Sequence, residues 1–404
     1  MDSQPPPLSS FSEDNLELMV NRRGRWQTAS EVLGLLSRQP GITRAAVARA
    51  LQLSTGSATE VTARLRDLQL LSESPAPIQG RGRPTTVLAA HPLGPVVLAL
   101  ELRQGGWRSG VVALDGSLDQ LPARRHRRDG PASVLAALRE VVVSAAEQYG
   151  DRLQAVTLAV PGTVRGLELL QASTLSWNDV DLSPVVEGTG LYLLAGNDAT
   201  LAGVAEARTG AAAGAGTALH LIVEVGIGGT LLLDGVPVGG ASGTAGEYGH
   251  TPYGDRSVRC PCGARGCWDL EIDGRALARH LDEPLPDDPY VYADELLRGA
   301  RSSRVQRAVE RVAEALGAGL AGLVNAHDPS VITLGGLAVP LRAAAPAAFA
   351  AAYEDNLMTF RRTAPPPILD AAHPTDGVLR GAGALGLDHL TSEASLTAWE
   401  AGRG

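Results

Sequence analysis

The sequence predicts an α/β protein with two lobes and a cleft between them, preceded by a small head built mainly of helices. Two patterns support this prediction. Apolar residues follow helical spacing from Thr28 to Leu71. Strand-like and helix-like segments then alternate twice between Val96 and Gly336. Such alternation is typical of two α/β units that enclose a ligand cleft.

Charge is distributed unevenly along the chain. The 404 residues are enough for two or three packed units, and every basic side chain other than histidine is an arginine. Residues 21–90 hold ten arginines and four acids, whereas residues 91–404 hold 25 arginines and 36 acids. A basic head on an acidic body favours an anionic partner for the head, although a short segment also varies by chance.

Neither a membrane span nor an export signal is expected. No uninterrupted apolar run reaches about 18 residues. The first residues, Met1-Asp-Ser-Gln-Pro-Pro-Pro, lack the basic and apolar stretches of a signal peptide. We therefore expect a cytoplasmic protein.

The head is expected to be a winged helix-turn-helix domain over residues 25–90, after a polar, proline-rich and disordered tail over residues 1–24. Three short helices fit the range, with Thr43 capping the second and Ser54 or Thr55 capping the third. The link between the last two helices is only a few residues long, as in the helix-turn-helix motif. A β-hairpin, the wing, is predicted to follow.

The body is expected to occupy residues 91–404. Predicted strands lie at Val96–Leu102, Ser109–Leu114, Leu153–Val160, Leu191–Ala195, Ala218–Val225, Thr230–Leu233 and Val331–Leu334, and predicted helices at Pro131–Tyr149, Asn197–Thr209 and Val305–Asn325. The glycine run 226–229 is expected to form the turn of a hairpin.

The three cysteines of the chain, Cys260, Cys262 and Cys267, lie within eight residues, and His250 lies ten residues before the first. Three thiolates and one imidazole suit tetrahedral Zn²⁺ and leave no open position for water. We therefore expect structural rather than catalytic zinc. A disulfide with one spare thiol, or three inert cysteines, are the alternatives, and the lack of an export signal disfavours the disulfide.

Motifs along nearly the whole chain resemble those of one family. They are Val160-Pro-Gly162, Trp177–Leu182, Asn197-Asp198-Ala199, Gly226–Gly229, Gly243–His250, the cysteine cluster, Asn325–Pro329 and Gly335-Gly336. This set resembles the ROK family of repressors, open reading frames and kinases, and Gly80-Arg-Gly-Arg-Pro84 resembles its repressor branch. The resemblance implies a winged helix-turn-helix and a two-lobed sugar-kinase-like effector and dimerisation domain with the actin/hexokinase-like (ribonuclease-H-like) fold.

The resemblance also implies a sugar pocket. Its ligands to sugar hydroxyls would be Gly162, Asn197, Asp198, Glu247, His250 and Asp269. Carboxylates and an amide suit a polyol, and a zinc-bound imidazole keeps one nitrogen for a further hydrogen bond. Asp269 stands where many relatives have Glu, and Thr174 where they often have Asn, so sugar choice is open to change. Alternatively, Asn197 and Asp198 only cap the following helix.

The phosphate-binding loops of the family are altered in this sequence. Glu101-Leu-Arg-Gln-Gly105 replaces an Asp-x-Gly-Gly-Thr loop, and Glu224 stands in the second loop where the γ-phosphate would lie. A carboxylate there would repel phosphate. We therefore expect no ATP binding and no catalysis, although in a kinase Asp198 would be the general base.

For DNA, the resemblance implies that Ser54–Arg64 is the recognition helix. Its groove-facing candidates are Thr55, Ser57, Thr59, Glu60 and Arg64. Glu60 can accept from a cytosine amino group, and Arg44 is expected to reach phosphate. Arg81 and Arg83 are expected to enter the minor groove from the wing tip. The alternative for the tip is a flexible basic linker.

The predicted function is DNA-binding regulation of carbohydrate metabolism genes, as a repressor. A sugar effector would control binding of a homodimer or homotetramer to a pseudo-palindromic operator in double-stranded DNA, with no membrane partner. Two alternatives remain: an ATP-dependent sugar kinase with a DNA-binding head, and a regulator that responds to no ligand.

Overall fold

The computed structural model describes residues 13–75, 86–126, 130–299 and 301–403, with side chains from Trp26 onward. The head consists of α1 (Glu13–Arg38), α2 (Arg44–Ala50), α3 (Thr55–Asp67), β1 (Leu71–Pro75) and β2 (Thr86–Ala90). β1 and β2 pair antiparallel, so the predicted helix-turn-helix and hairpin are both present. The hairpin tip, with Arg81 and Arg83, lies outside the described residues.

Side-chain caps fix where the two short head helices begin. The Thr43 hydroxyl accepts the Ala46 N–H at the start of α2. The Ser54 hydroxyl accepts the Ser57 N–H at the start of α3. Each cap satisfies a backbone donor that the helix itself cannot use. The predicted caps Thr43 and Ser54 are confirmed.

Helix α1 is longer than predicted. It begins at Glu13, so residues 13–24, assigned to a disordered tail, are helical. The stretch contains no proline, which would interrupt the helix. The predicted boundary at residue 25 therefore falls inside a helix.

Lobe I is built around a five-stranded sheet. Its elements are β3 (Val96–Arg103), β4 (Gly106–Ala113), β5 (Leu118–Arg125), α4 (Pro131–Tyr149), β6 (Leu153–Val160), β7 (Thr163–Arg165), β8 (Glu168–Ala172), β9 (Trp177–Asp181) and β10 (Tyr192–Asn197). The main sheet has the order β10-β6-β3-β4-β5, and β7-β8-β9 form a small second sheet. β10, β6 and β3 run parallel, which brings their carboxyl ends to the same edge.

Lobe II holds a second five-stranded sheet and most of the helices. Its elements are α5 (Asp198–Thr209), β11 (Thr217–Glu224), β12 (Gly226–Leu233), β13 (Val236–Pro237), α6 (Gly274–His280), α7 (Pro289–Arg298), α8 (Ser303–His327), β14 (Val331–Gly336), α9 (Ala338–Ala344), α10 (Pro346–Asn356), α11 (Thr359–Arg362) and β15 (Ile368–Asp370), followed by α12 (Gly377–Leu390) and α13 (Glu393–Ala401). The sheet order is β13-β12-β11-β14-β15. Across the described chain, no helix has the length and apolar character that a membrane span requires.

Two helices join the lobes. α5 and α12 pack against each other, α12 also contacts β3 and β6 of lobe I, and α5 contacts β11 and β12 of lobe II. The two sheets are therefore separated by this helix pair, and the cleft lies where α5 begins. The two-lobed α/β prediction is confirmed.

The glycine run at residues 226–229 has a different role from the predicted one. It belongs to β12, whose hairpin with β11 closes at Glu224 and Gly226. A Cβ on Gly228 would lie 2.4 Å from the Ala199 side chain. The run therefore allows close packing of β12 on α5, where any side chain would clash, instead of forming a loop.

The head and lobe I share one hydrophobic core. Its buried members include Trp26, Leu33, Leu36 and Leu65 from the head, Val97, Val112 and Leu114 from lobe I, and Leu387, Leu390, Leu396 and Trp399 from α12 and α13. Apolar burial of this kind contributes about 25 cal/mol per Å². The head is consequently held against lobe I by side-chain packing as well as by the covalent connection between them.

The helix α13 closes this seam between head and body. The Trp399 indole N–H donates to the Leu68 carbonyl, just beyond α3, over 2.9 Å. Leu396 of the same helix is buried in the shared core. The predicted division at residue 90 thus assigns α13 to the body, whereas its packing is with the head.

Candidate functional site

A cavity of about 600 Å³ lies between the lobes. This volume is within the roughly 300–1,000 Å³ that is usual for small-molecule sites. All six predicted sugar ligands line it, namely Gly162, Asn197, Asp198, Glu247, His250 and Asp269. The structure therefore brings together residues that lie more than 100 positions apart in the sequence.

A cluster of three thiols and one imidazole forms part of the lobe II wall. The ligand atoms of His250, Cys260, Cys262 and Cys267 all lie within 4.8 Å of one another. The Sγ atoms of Cys262 and Cys267 are 3.7 Å apart, and Cys260 Sγ is 3.8 Å from His250 Nδ1. Tetrahedral zinc with Zn–S bonds of about 2.3 Å would separate two sulfurs by roughly 3.8 Å. The cluster fits a tetrahedral metal ion.

The His250 ring connects this cluster to the cavity. Its Nδ1 faces the thiols, whereas its Nε2 lies 3.9 Å from the Glu247 carboxylate. The other Glu247 oxygen accepts a short hydrogen bond from the Thr163 hydroxyl of lobe I. Thr163 was not among the predicted site residues. Its contact with Glu247 spans the cleft between the lobes.

Asn197 is both a cap and a wall residue. Its side-chain oxygen accepts the Thr200 N–H at the start of α5, and its amide donates to the Gly162 carbonyl over 3.1 Å. A Cβ on Gly162 would lie 2.4 Å from the Gln171 carbonyl, so only glycine fits there. Asn197 therefore caps α5, as in the alternative interpretation. One amide hydrogen of its side chain remains for a ligand.

Asp198 presents a carboxylate to the cavity at the first turn of α5. One of its oxygens accepts the Ala199 N–H over 2.7 Å. Burial, together with repulsion from Glu224 and Glu101, raises the pKa of Asp198 to about 8. Perturbed carboxyl groups in a cavity are typical of functional sites.

Both carboxylate oxygens of Asp269, a predicted sugar ligand, have protein partners. Its Oδ1 accepts the Ile227 N–H over 2.8 Å, and its Oδ2 accepts from Arg275 over 2.9 Å. Arg275 also holds the fully buried Asp273 at 2.7 Å. Because aspartate is one methylene shorter than glutamate, its carboxylate is drawn back to the backbone and Arg275. Asp269 lines the cavity but fixes the β11–β12 hairpin.

The opposite end of the cavity holds an ion-pair network across the lobes. Arg103 of β3 donates to Glu101 over 2.6 Å and to Glu224 of β11 over 2.7 Å. Arg108 pairs with the other Glu101 oxygen. Glu224, predicted to repel a phosphate at this position, is paired with Arg103 in the structure. Burial nevertheless raises the pKa of Glu224. The pairing with Arg103 had no signal in the sequence, because the two residues lie 121 positions apart.

Thr174 adds an unsatisfied hydroxyl to the cavity. It stands where relatives often have Asn, it lines the cavity, and its Oγ1 is buried with no hydrogen-bond partner in the described part of the chain. A buried hydroxyl without a partner costs free energy. A polar ligand in the cavity would remove that cost.

The exposed face of α3 carries four of the predicted DNA contacts. Thr55, Ser57, Thr59 and Glu60 are exposed, whereas Ala58, Thr62 and Leu65 are buried on the opposite face. The Thr59 hydroxyl donates to the Thr55 carbonyl, so its side chain is oriented by its own helix. The groove-facing role of this face stays a prediction.

Two arginines of the predicted DNA set are already paired. Arg64 lies 3.2 Å from Glu400 and stacks 3.9 Å over the Trp26 ring. It therefore faces α1 and α13, and we remove it from the groove-facing set. Arg44 lies 3.4 Å from Glu73 of β1 and stays half-exposed, so it links α2 to the hairpin and remains near the surface.

Comparison with known proteins places this arrangement in a family. The ROK family profile matches residues 102–389. The chain belongs to the ROK family. This ROK protein is 31% identical over 219 residues to a xylose repressor from Caldicellulosiruptor bescii, covering 50% of this chain and 55% of that protein. The chain thus spans about half the length of the curated repressors it matches.

Solved ROK structures fall into two groups. A ROK family transcriptional regulator, a homologue of the E. coli MLC protein, superposes with a TM-score of 0.72 at 21% identity, covering 93% of this chain and 98% of that one. The ROK hexokinase from Thermus thermophilus gives 0.57 at 30% identity, covering 72% and 97%. The actin/hexokinase-like body is thus common to both groups, and the regulator's fold extends over the head as well.

Proposed function

We propose that this ROK protein is a sugar-responsive transcriptional regulator that represses genes of carbohydrate metabolism in the cytoplasm. The observation that carries the proposal is the continuous core between a helix-turn-helix head and the lobe that forms one wall of a cavity lined by hydrogen-bonding side chains. Repressors among the relatives support the same conclusion. The target is double-stranded DNA, bound by a symmetric oligomer at a two-fold operator.

The cavity suits a carbohydrate. The carboxyl groups of Asp198 and Glu247, the Asn197 amide and the Thr174 hydroxyl offer acceptors and donors around a space that a sugar ring can enter. A ligand bridging Glu247 and Thr163 to α5 would favour one relative position of the lobes. Differential affinity for that position is what an effector requires.

The altered phosphate loops support a regulator over a kinase. Sugar kinases need open glycine turns whose N–H groups hold phosphate, together with bound Mg²⁺. Here the Arg103 side chain lies at the first loop and is bound to Glu224 of the second. Asp198 then acts as a sugar-binding carboxylate rather than as a general base.

Fixed packing explains how the signal reaches DNA. The head shares its core with the sheet of lobe I and with the connecting helices α5 and α12. We expect the lobes to close about this helix pair, so that the head moves with the sheet of lobe I relative to the sheet of lobe II. In a symmetric dimer this changes the distance between two recognition helices, whose spacing must match the operator.

The experiment uses the full chain and genomic DNA fragments selected by binding. Operator affinity is measured by fluorescence anisotropy at fixed salt, with and without a panel of sugars. One sugar should weaken binding by at least about tenfold, or about 1.4 kcal/mol of coupling. Asp198→Ala should bind DNA normally and lose the response, whereas the exposed control Asp119→Ala should keep it.

Two results would overturn this function. One is the absence of any DNA fragment bound above background. The other is sugar-dependent ATP consumption that Asp198→Asn abolishes, which would make the protein a kinase with a DNA-binding head. A normal response to sugar in Asp198→Ala would reject the pocket assignment.

We also propose that the metal of the His250–Cys260–Cys262–Cys267 cluster is structural zinc, since four protein ligands leave no open coordination position. Zinc would fix the His250 ring and, next to it, Glu247. Cys262→Ser should lose zinc in elemental analysis and weaken sugar affinity, while Arg259→Ala in the same loop should do neither. Zinc loss with unchanged sugar affinity would leave the metal a purely architectural role.

A further inference from the structure

The end of the cavity opposite the metal cluster carries its own set of polar side chains. Arg103, Gln104 and Glu224 line the same cavity as Glu247 and His250. Gln104 lies in the tight turn between β3 and β4, next to Arg103, which pairs with Gly106 across the hairpin. This end of the cavity is therefore polar, and both lobes contribute to it.

We propose that Arg103, Gln104 and Glu224 form a second sugar subsite, so that the effector is a disaccharide or another glycoside rather than a single sugar. This inference rests on the proposed function, because it concerns the same cavity. The first ring would lie against Glu247 and His250, and the second against the Arg103 end.

The size of the cavity supports two rings. Its volume of about 600 Å³ equals the liquid volume of roughly 20 water molecules. A hexose has about a dozen non-hydrogen atoms and a disaccharide about twice as many, so a single ring would leave much of a roughly 600 Å³ space to water. Ligand sites usually bury most of their ligand's surface.

Hydrogen-bonding capacity remains at this end after the ion pairs are counted. Arg103 uses Nε for Glu101 and Nη2 for Glu224, which leaves Nη1 available. Glu224 uses one oxygen for Arg103. The Gln104 amide has no hydrogen-bond partner among the described residues. Together these groups offer donors and acceptors for the vicinal hydroxyls of a second ring.

The charge balance favours a neutral ring over a phosphate. Arg103 is flanked by Glu101 and Glu224, and Arg108 is also paired with Glu101. A phosphate near Arg103 would also lie near the carboxylates of Glu101 and Glu224, so repulsion by these groups would largely cancel its attraction to Arg103. Neutral hydroxyl groups are not repelled by these carboxylates and can donate hydrogen bonds to them.

Asp198 lies between the two subsites. It is close enough to Arg103, Glu101 and Glu224 to interact with them electrostatically, and it shares the cavity wall with Glu247. The glycosidic linkage would therefore pass beside Asp198.

The test is calorimetric titration of the full chain with matched probes: xylose and xylobiose, glucose with cellobiose and maltose, and glucose 6-phosphate. At least one disaccharide should bind about tenfold tighter than its monosaccharide. Gln104→Ala should remove most of that advantage without weakening the monosaccharide. The matched control Arg108→Gln disturbs the same Glu101 but does not line the cavity, and it should keep the advantage.

Each other outcome rejects the subsite in a distinct way. Equal affinities for a monosaccharide and its disaccharides, unchanged in Gln104→Ala, would overturn the second subsite and leave the sugar-responsive regulator intact. Tighter binding of glucose 6-phosphate than of glucose, lost in Arg103→Gln, would make the end an anion site. Binding of none of the probes would overturn both the subsite and the sugar response.

Discussion

The two faces of lobe I are built in opposite ways. Its face toward the head is apolar and continuous, with Trp26, Leu33 and Trp399 buried in one core. Toward lobe II, α5 and α12 pack into the same core, and beyond this helix pair the two lobes face each other across a polar cavity. The cavity is crossed by the Arg103–Glu224 pair and the Thr163–Glu247 hydrogen bond. One face is a packed seam, and the other is a cleft that solvent and ligand can enter.

This difference shows where a ligand can act. A packed apolar seam changes little with small-molecule binding, since its stability comes from buried area and close contact. Away from the α5–α12 pair, the lobes meet across the cavity through a few polar contacts, which can be exchanged for contacts to a ligand at small net cost. Motion is therefore expected between the lobes, and the head should follow lobe I.

The largest expected effect comes from breaking the seam. Trp399→Ala removes a buried indole and its hydrogen bond to the Leu68 carbonyl. Such truncations cost about 3–5 kcal/mol. Chemical unfolding followed by tryptophan fluorescence and circular dichroism should show this loss, and operator affinity should fall because α13 supports α3.

A conservative variant sharpens that prediction. Trp399→Phe keeps an aromatic ring in the core but loses the hydrogen bond, so the cost should be roughly 1–2 kcal/mol. Equal destabilisation by the two variants would mean that the hydrogen bond rather than the packing holds the seam. An unchanged free energy of unfolding in Trp399→Ala would reject the seam altogether.

The contrast between the faces also explains what the sequence could predict. Local signals were sufficient for α4 at Pro131–Tyr149 and β6 at Leu153–Val160, whose predicted bounds are those observed. The metal cluster could also be predicted from sequence, because its four residues lie close together in the chain and cysteine and histidine are specific metal ligands. Seam contacts such as Arg64–Glu400 join residues 336 positions apart, and no local pattern indicates such a pair.

The cavity was predictable only in part. Six of the residues that line it were predicted from a family resemblance, and the structure brings these six together. The Asn197–Thr200 bond is the helix cap that the sequence offered as an alternative. The bonds of Asp269 to Ile227 and of Asn197 to Gly162 could not be predicted, because they join residues 42 and 35 positions apart. Residue type indicates what a side chain can bind, whereas its neighbours decide what is left for a ligand.

A smaller effect is expected from breaking the cleft. The Arg103 and Glu224 side chains are 41% and 34% exposed, so their coupling in a double-mutant cycle should be about 1 kcal/mol. The cycle compares Arg103→Ala, Glu224→Ala and the double variant by chemical unfolding. Coupling should shrink in 1 M salt, where the screening length is about 3 Å.

The seam supplies the control for this cycle. Trp399→Ala combined with Glu224→Ala should give no coupling, since Trp399 lies in the seam with the head and Glu224 lies on the lobe II side of the cleft. The destabilisation by Trp399→Ala should also be insensitive to salt. Coupling between Arg103 and Glu224 that is absent, or that salt leaves unchanged, would contradict the view of the cleft as a weak ionic contact.

The last prediction is a pH dependence of the cleft. The folded-state pKa of Asp198 is raised from 3.8 to about 8, mainly by burial. Below pH 3.8 the carboxyl is protonated in both states and folding carries no penalty from it. As the pH rises toward 8, the unfolded chain loses the proton first, so this contribution to stability is progressively lost.

Asp198→Asn should therefore flatten the fall in unfolding temperature between about pH 5 and pH 8. It should not abolish the fall, because the pKa values of Glu224 and Asp273 are also raised by burial. The exposed variant Asp119→Asn should keep the wild-type slope, and so should Trp399→Phe, since the seam change removes no titrating group. An identical slope in Asp198→Asn and the wild type would show that Asp198 stays ionised in the folded cleft, with its charge balanced by Arg103.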